Sequence, residues 1–155
     1  MNEKDVLKQV SIGFEYSYRH DDWVTPMEEA VAGIDAETAT RKLKADTRSI
    51  WEIVLHLAVW NENIIERIRT KSKAKPAEGN WPKLPEIQDE AAWEQAKGRL
   101  RNSLESVQSM LRDSSLSEIN DGPYGLADLL CRFTHNGYHI GQITVLREVF
   151  IEAEH

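Results

Sequence analysis

The chain has 155 residues, a formal net charge of −7 and one cysteine, Cys131. This length predicts one domain, residues 1–155, with a buried core. Its 41% apolar and 29% charged residues are ordinary for a soluble globular protein. Lysine and arginine are interspersed with acidic residues and form no stripe. The charge pattern therefore argues against nucleic acid and anionic membranes as partners.

A cytoplasmic location is expected. One cysteine cannot form an internal disulfide, which fits a reducing compartment. The first ten residues, MNEKDVLKQV, lack the cationic patch and apolar run of a signal peptide. No apolar run approaches the ~18 residues needed to span a bilayer.

The first predicted helix covers residues 2–20, where apolar residues recur at every fourth position: Val6, Val10 and Phe14. A connection of about 25 residues follows, which is longer than most helix–helix links. Residues 27–32 are predicted to form a short helix within it. Such a long link allows the second helix to cross the bundle, so a simple up-and-down topology is not assumed.

The second predicted helix begins after Ser49. Ser49 and Glu52 form an S-x-x-E capping box directly before an apolar stripe. His56 lies on this helix, which is predicted to end near Thr70. The stripe consists of Ile50, Ile53, Val54, Leu57, Ile64 and Ile68.

Residues 71–85 are predicted to be a loop, because KSKAKPAEGNWPKLP contains three prolines and a glycine. Trp81 in this polar loop is expected to pack onto the protein, at the rim of a pocket. A third helix is predicted over residues 89–112 and a loop over 113–123.

The fourth helix is predicted over residues 126–152. It contains Gly137 and Gly141, each of which costs a helix ~1 kcal/mol relative to alanine. We expect these glycines to allow the close approach of a neighbouring element or to give access to a site. Four long amphipathic segments without a strand predict an all-α fold, a four-helix bundle with long connections between helices.

His135 and His139 lie four residues apart in the fourth helix, so both side chains leave the same face about one turn apart. This spacing lets two ring nitrogens converge on one metal ion, although such a pair also arises by chance. In a bundle, His56 of the second helix can join them. Three neutral imidazoles on one divalent transition metal, Zn, Ni or Fe, leave open positions for water or substrate.

Two segments resemble the signature segments of the DinB-like metalloenzymes: RSIWEIVLHLAVWNE at 48–62 and HNGYHIGQI at 135–143. These proteins are bacterial four-helix bundles with one histidine on helix two and an H-x-x-x-H pair on helix four. GNWPKLP followed by DEAAWEQA also looks like the middle loop and third helix of the family. The resemblance covers about residues 48–148, and it implies that His56, His135 and His139 are the metal ligands.

The resemblance also suggests chemistries. Better-understood relatives include thiol transferases that use bacillithiol or mycothiol and a thiol-dependent isomerase, but such assignments do not transfer with the fold. A metal-bound thiol loses its proton and becomes a nucleophile, and a metal-bound water becomes a hydroxide. No catalytic side chain is assigned, because the same three ligands serve both reactions.

Other polar side chains near these histidines are candidates to hold their free ring nitrogens: Gln142, Asn63 and Glu52. Each alone is more often an ordinary polar residue. Cys131, one turn before His135, is a candidate ligand or nucleophile, but a core position is the favoured interpretation. Four tryptophans are candidates for lining a pocket, although core packing is the default: Trp23, Trp51, Trp60 and Trp81.

The favoured hypothesis is a metal-dependent thiol S-transferase that joins a low-molecular-weight thiol to a small electrophile. A metal-dependent hydrolase is the alternative within the same class. A non-catalytic, metal-binding stress-response bundle and a structural helical dimer with incidental histidines are different classes. The apolar flanks of the first and fourth helices also suggest a homodimer.

Overall fold

The computed structural model describes residues 2–20 and 24–151, and these residues form helices and loops without a strand. The prediction of an all-α fold is confirmed. The described ranges contain seven helices: α1 (Glu3–Tyr16), α2 (Met27–Ala30), α3 (Ala36–Thr40), α4 (Ile50–Thr70), α5 (Glu90–Asp113), α6 (Leu116–Asn120) and α7 (Leu126–Ile151). None of them combines the length and apolarity needed to cross a bilayer.

The four long predicted helices correspond to α1, α4, α5 and α7, and three short helices lie between them. α4 is central, because it packs against α3, α5, α6 and α7. The predicted tryptophan Trp23, the end of the fourth helix at Glu152 and the terminal His155 lie outside the described residues.

α1 ends earlier than predicted, at Tyr16 and not near His20. The chain turns there, which buries Tyr18 completely. Its hydroxyl donates a hydrogen bond of 2.5 Å to Gln108 Oε1 on α5. This buried hydrogen bond joins Tyr18, in the chain after α1, to Gln108 on α5, and it forms in place of a further turn of α1.

Two short helices were not predicted. α3 begins at the N-cap Asp35, whose side chain accepts from the Thr38 amide, and it buries two alanines. α6 lies where a loop was predicted, and it begins with a capping box between Ser115 and Glu118. The S-x-x-E signal of α6 is present in the sequence, but only Ile119 of this helix is buried, so no apolar period accompanies it.

The core is built on the predicted stripe of α4. Five of its six members are buried and Ile68 is half-buried. Trp51 of α4 and Trp93 of α5 are both fully buried, with ring centroids 5.2 Å apart. The indole of Trp93 donates to the Ile34 carbonyl at 2.7 Å, which fixes the chain before α3 onto α5.

A buried polar link joins the three longest helices. Asn136 of α7 donates to Asn61 Oδ1 of α4 at 3.2 Å, and Asn61 donates to Ser103 Oγ of α5 at 3.2 Å. All three side chains are buried. Because buried polar groups are costly without partners, this link favours one register of the helices.

The loop between α4 and α5, residues 71–89, is fastened to the helices by Arg99 of α5. Its guanidinium binds both oxygens of Glu62 on α4, at 2.9 and 2.7 Å. It also donates to Glu78 of the loop at 3.1 Å. One arginine therefore connects α4, α5 and the loop.

Candidate metal centre

Three histidines from two helices meet at one end of the core. α4 supplies His56, and α7 supplies His135 and His139. One ring nitrogen of each residue lies within 4.8 Å of the others. The ring centroids are separated by 5.0 Å for His56 and His135, 4.7 Å for His56 and His139, and 4.5 Å for His135 and His139. The expected convergence of the three rings is therefore present, and we call them the three-His cluster.

Two of the imidazoles are held in the tautomer that a metal requires. His56 Nδ1 lies 2.6 Å from the Asn80 carbonyl, and His139 Nδ1 lies 2.6 Å from Gln142 Oε1. Carbonyl oxygens only accept, so both Nδ1 atoms carry the proton. Each Nε2 atom is left with a lone pair, as in metal sites where a neighbour fixes the ligating histidine.

The third imidazole has a different neighbour. Arg132 Nη1 lies 3.1 Å from His135 Nδ1, and a guanidinium only donates. His135 Nδ1 therefore accepts, and the proton lies on Nε2, which is 3.0 Å from His56 Nε2. In this state His135 donates to His56. Ligation through His135 Nε2 requires the loss of that proton and a change in the contact with Arg132.

Trp81 covers the cluster from the loop between α4 and α5. Its ring stacks on His56 with centroids 4.0 Å apart and 17° between the planes, and it meets His139 edge-on at 5.9 Å. Arg48 lies over the same tryptophan at 4.5 Å. The predicted role of Trp81 as a residue that packs onto a pocket rim agrees with this position.

A cavity of about 750 Å³ opens beside His139. Its wall is mostly apolar and includes Trp81 and the C-terminal half of α7, together with residues 43–48 before α4. Tyr138 and Gln142 also line it, next to His139. A small apolar molecule in this cavity would reach the cluster from the His139 side.

Burial keeps the cluster neutral. It lowers the pKa of His56 from 6.5 to about 4 and that of His135 to about 3, and it also lowers the pKa of His139. The positive charge of Arg132 lowers all three further. Neutral imidazoles are the form that binds metals, so a metal need not compete with protons near neutral pH.

Comparison with known families agrees with this geometry. Residues 25–146 match the family described as the DinB superfamily, and the match covers most of the chain. The chain belongs to the DinB superfamily. No curated protein and no solved structure was found to match it.

The donor set of this DinB chain fits a divalent transition metal. Two nitrogens bound at zinc-like distances to one tetrahedral ion are about 3.3 Å apart. The Nε2 atoms of His56 and His135 are separated by a similar 3.0 Å. Three neutral nitrogen donors suit Zn, Ni or Fe and leave positions for further ligands.

Only one of the three polar residues proposed to hold the ring nitrogens is in contact with them. Gln142 binds His139 and donates to the Tyr138 hydroxyl at 3.0 Å. Glu52 is wrong in this role, because it caps α4 and pairs with cations at its N-terminus. Asn63 is also wrong, because its amide donates to the Ala74 carbonyl.

Sequence reasoning missed two neighbours of the DinB cluster. Asn80 contributes its backbone carbonyl, for which the residue type gives no signal. Arg132 contacts His135 from three residues before it, and helical spacing could have identified this pair.

Cys131 is exposed, so the favoured core position is wrong, and it does not belong to the metal-ligating cluster. Of the two alternatives expected for the glycines of α7, the close approach of a neighbour is not found. A Cβ added at Gly137 or Gly141 would meet nothing within 4 Å, so neither serves a close approach. Gly141 lines the cavity beside His139, which fits the expected access to a site.

Proposed function

We propose that this DinB protein is a metal-dependent enzyme in which His56, His135 and His139 hold one divalent transition metal. We further propose that it transfers a low-molecular-weight thiol to a small electrophile. The observation that carries the proposal is a neutral three-His cluster, in which His56 and His139 are buried and His135 is half-buried, beside a mostly apolar cavity.

The residues around the cluster have assigned tasks in this proposal. Asn80 and Gln142 orient two imidazoles so that their Nε2 lone pairs face the ion. Trp81 excludes water from one face of His56. The apolar cavity binds the body of the electrophile next to His139. A metal held there would lower the pKa of a coordinated thiol, which makes the thiol nucleophilic at neutral pH.

The surroundings of the cluster favour thiol transfer over hydrolysis. Among the described residues, the charges that shift the pKa values of the three histidines belong to arginines and to the other histidines. One carboxylate, that of Asp46, lines the cavity beside His139 but is not among these charges. Many zinc hydrolases need a glutamate as general base near the metal. A thiol needs no such base once its pKa is lowered, and its proton passes to solvent. Sulfur then bonds to the electrophilic carbon while the leaving group departs with its electron pair.

Metal content tests the first half of the proposal. Protein purified without chelators or immobilised nickel is expected to carry about one metal ion per chain by elemental analysis. A His56→Ala, His139→Ala double variant is expected to lose it. His20→Ala is the matched control, because His20 is exposed and lies outside the cluster. Equal metal content in all three proteins would leave only a helical bundle with incidental histidines.

Turnover tests the second half. Metal-loaded protein incubated with a low-molecular-weight thiol and a haloaromatic electrophile is expected to consume the thiol and release halide. The double variant is expected to show only the uncatalysed rate. If metal-loaded protein consumes no thiol but cleaves an ester, the hydrolase alternative holds. If it does neither, a non-catalytic metal-binding role holds. The homodimer remains a prediction.

A further inference from the structure

We infer that the ligand of the three-His cluster carries a carboxylate or a similar compact oxyanion, and that Arg132 and Arg67, whose guanidiniums both lie over the ring of Trp60, bind this group. We call these three residues the cationic flank. That this ligand is a substrate rests on the proposed function. Anion binding at the cationic flank does not, and it can be tested without a metal.

Arg132 has no acidic partner among the described residues. Its contacts are His135 Nδ1 at 3.1 Å and the ring of Trp60, which its guanidinium covers at 4.9 Å. Its Nε atom is buried without a hydrogen-bond partner. Several other arginines of the chain are paired with glutamates: Arg19, Arg48, Arg69, Arg99 and Arg101. A guanidinium that is half-buried and has spare donors is suited to an external anion.

Arg67 adds a second positive charge to the same place. Its guanidinium lies over Trp60 at 5.4 Å and over Tyr124 at 4.5 Å, and it donates to the Ala74 carbonyl at 2.6 Å. Both guanidiniums therefore lie against the same indole, and both side chains are half-buried. Two neighbouring cations that repel each other gain from an anion between or beside them. This excess of positive charge is local, because the whole chain has a net charge of −7.

The cationic flank lies on a different side of the cluster from the apolar cavity. Arg132 contacts His135, whereas the cavity is lined by His139, and none of the three flank residues lines the cavity. His135, Arg132 and Trp60 are each half-buried, so solvent reaches this side. The cluster therefore has one flank suited to a charged group and one suited to an apolar body.

The distance between flank and cluster limits the ligand. Arg132 is separated from the metal-facing Nε2 of His135 by the width of one imidazole ring. A carboxylate bound to Arg132 must therefore lie only a few bonds from the atom bound at the cluster. A short carboxylated thiol meets this condition, and so does a carboxylated electrophile placed beside a neutral thiol.

Thiol binding to cobalt-loaded protein tests the inference, since thiolate coordination to Co(II) gives a charge-transfer absorption band. The probes are 3-mercaptopropionate and its neutral analogue 3-mercapto-1-propanol. We expect the carboxylated thiol to bind about tenfold more tightly, the ratio expected of one hydrogen-bonded charge pair. Arg132→Gln is expected to remove the preference. Arg69→Gln on α4, which removes the same charge from an exposed ion pair, is expected to retain it.

A second titration assigns the carboxylate to one of the two substrates. Propionate is added to cobalt-loaded protein saturated with 3-mercapto-1-propanol. Arg132-dependent binding of propionate, without a preference for the carboxylated thiol, places the carboxylate on the electrophile. A preference for the carboxylated thiol places it on the thiol. Binding constants that do not depend on Arg132 in either titration overturn the inference.

A metal-free experiment separates this inference from the proposed function. Sulfate is expected to raise the melting temperature of metal-free wild-type protein more than chloride does at equal ionic strength. Arg132→Gln is expected to reduce this difference to the general stabilisation that sulfate gives any protein, whereas the control Arg69→Gln is expected to retain the full difference. If cobalt is not taken up, the proposed function fails and this result alone decides the anion site. Should Arg132→Gln not fold, Arg67→Gln is expected to reduce the sulfate effect. An unchanged sulfate effect in the variant overturns the inference.

Discussion

At the scale of single residues, the hydrogen bond from His139 to Gln142 sets which nitrogen of the ring can bind a metal. Gln142 Oε1 accepts the Nδ1 proton at 2.6 Å. Gln142 is itself oriented by the Tyr138 hydroxyl at 3.0 Å. The amide therefore determines both the tautomer of the ligand and the direction of the ring.

Replacing Gln142 by leucine is expected to lower metal affinity by about 10- to 100-fold, the range typical of groups that support metal ligands. The leucine is similar in size but cannot accept the Nδ1 proton. Competition with a chromophoric chelator measures the affinity. Tyr138→Phe is the control, because Gln142 still accepts from His139 in that variant. Equal affinities for Gln142→Leu and Tyr138→Phe would contradict the role of Gln142.

The lowered pKa values of the cluster predict how the metal-free protein responds to acid. Folded His56 titrates near pH 4 and folded His135 near pH 3, whereas both titrate near 6.5 when exposed. Between the folded pKa values and pH 6.5, the unfolded chain therefore binds more protons at these two rings than the folded protein does. The free energy of unfolding is expected to fall as the pH drops from 6.5 to about 4, and the two rings contribute no pH dependence above that window.

Urea unfolding of metal-free protein at several pH values across this window measures the effect. A His56→Gln, His135→Gln double variant lacks both groups, so its stability is expected to fall less steeply with acid than that of the wild type. The same slope in both proteins would show that other groups cause the acid sensitivity.

At this scale the sequence predicted the three histidines and Gln142, because helical spacing and apolar surroundings point to them. It did not predict Asn80, because a backbone carbonyl acts without regard to residue type. It misassigned Glu52 and Asn63 because helical spacing locates a face but not the partner that competes for a side chain. For Glu52 those partners were Ser49, Lys42 and Arg48.

At the scale of elements, the capping box of α4 positions the first histidine. Ser49 accepts from the Glu52 amide at 3.2 Å, and the Glu52 carboxylate accepts from the Ser49 amide at 2.9 Å. Ser49 is fully buried, so water cannot replace its hydroxyl. Two turns later the same helix carries His56.

Ser49→Ala is expected to cost ~1 kcal/mol of unfolding free energy, because it leaves the Glu52 amide buried without a partner. Loosening the first turn is also expected to weaken metal binding by His56. Urea unfolding and chelator competition measure the two effects. Ser115→Ala removes the same capping box from α6, which carries none of the three histidines, and is expected to change stability alone. Unaltered metal affinity in Ser49→Ala would show that the cap of α4 does not position His56 for metal binding.

The long helices were predictable as elements because each combines an apolar period with a cap or a turn residue. The short helices α3 and α6 lack the period, so their caps alone did not distinguish them from loops. The early end of α1 depends on the buried contact of Tyr18 with Gln108, which is distant in sequence. Contacts of this kind cannot be read from a local pattern.

At the scale of the whole molecule, the link between Asn61, Ser103 and Asn136 holds α4, α5 and α7 in register beside the cluster. Asn136 directly follows His135, and Asn61 lies five residues after His56. The link therefore constrains the two helices that supply the metal ligands.

Asn61→Ala is expected to cost ~1–3 kcal/mol of unfolding free energy, since it leaves the buried amide of Asn136 without its acceptor. It also removes the donor to Ser103 Oγ, whose own hydroxyl still donates to the Leu100 carbonyl. It is also expected to weaken metal binding, because α4 and α7 lose a fixed register. Urea unfolding and chelator competition report on both. Asn102→Ala is the control on the exposed face of α5. Similar losses in both variants would show that the link does not hold the helices.

Arg99 gives the protein a dependence on its surroundings that the buried cluster alone would not have. Its bonds to Glu62 and Glu78 fasten the loop that carries Asn80 and Trp81. Dissolved ions screen such solvent-facing charge pairs, so we expect high salt to loosen the loop over His56 while the helices stay packed. The shielding of the histidines from water is therefore expected to depend on ionic strength, through a guanidinium that contacts none of them.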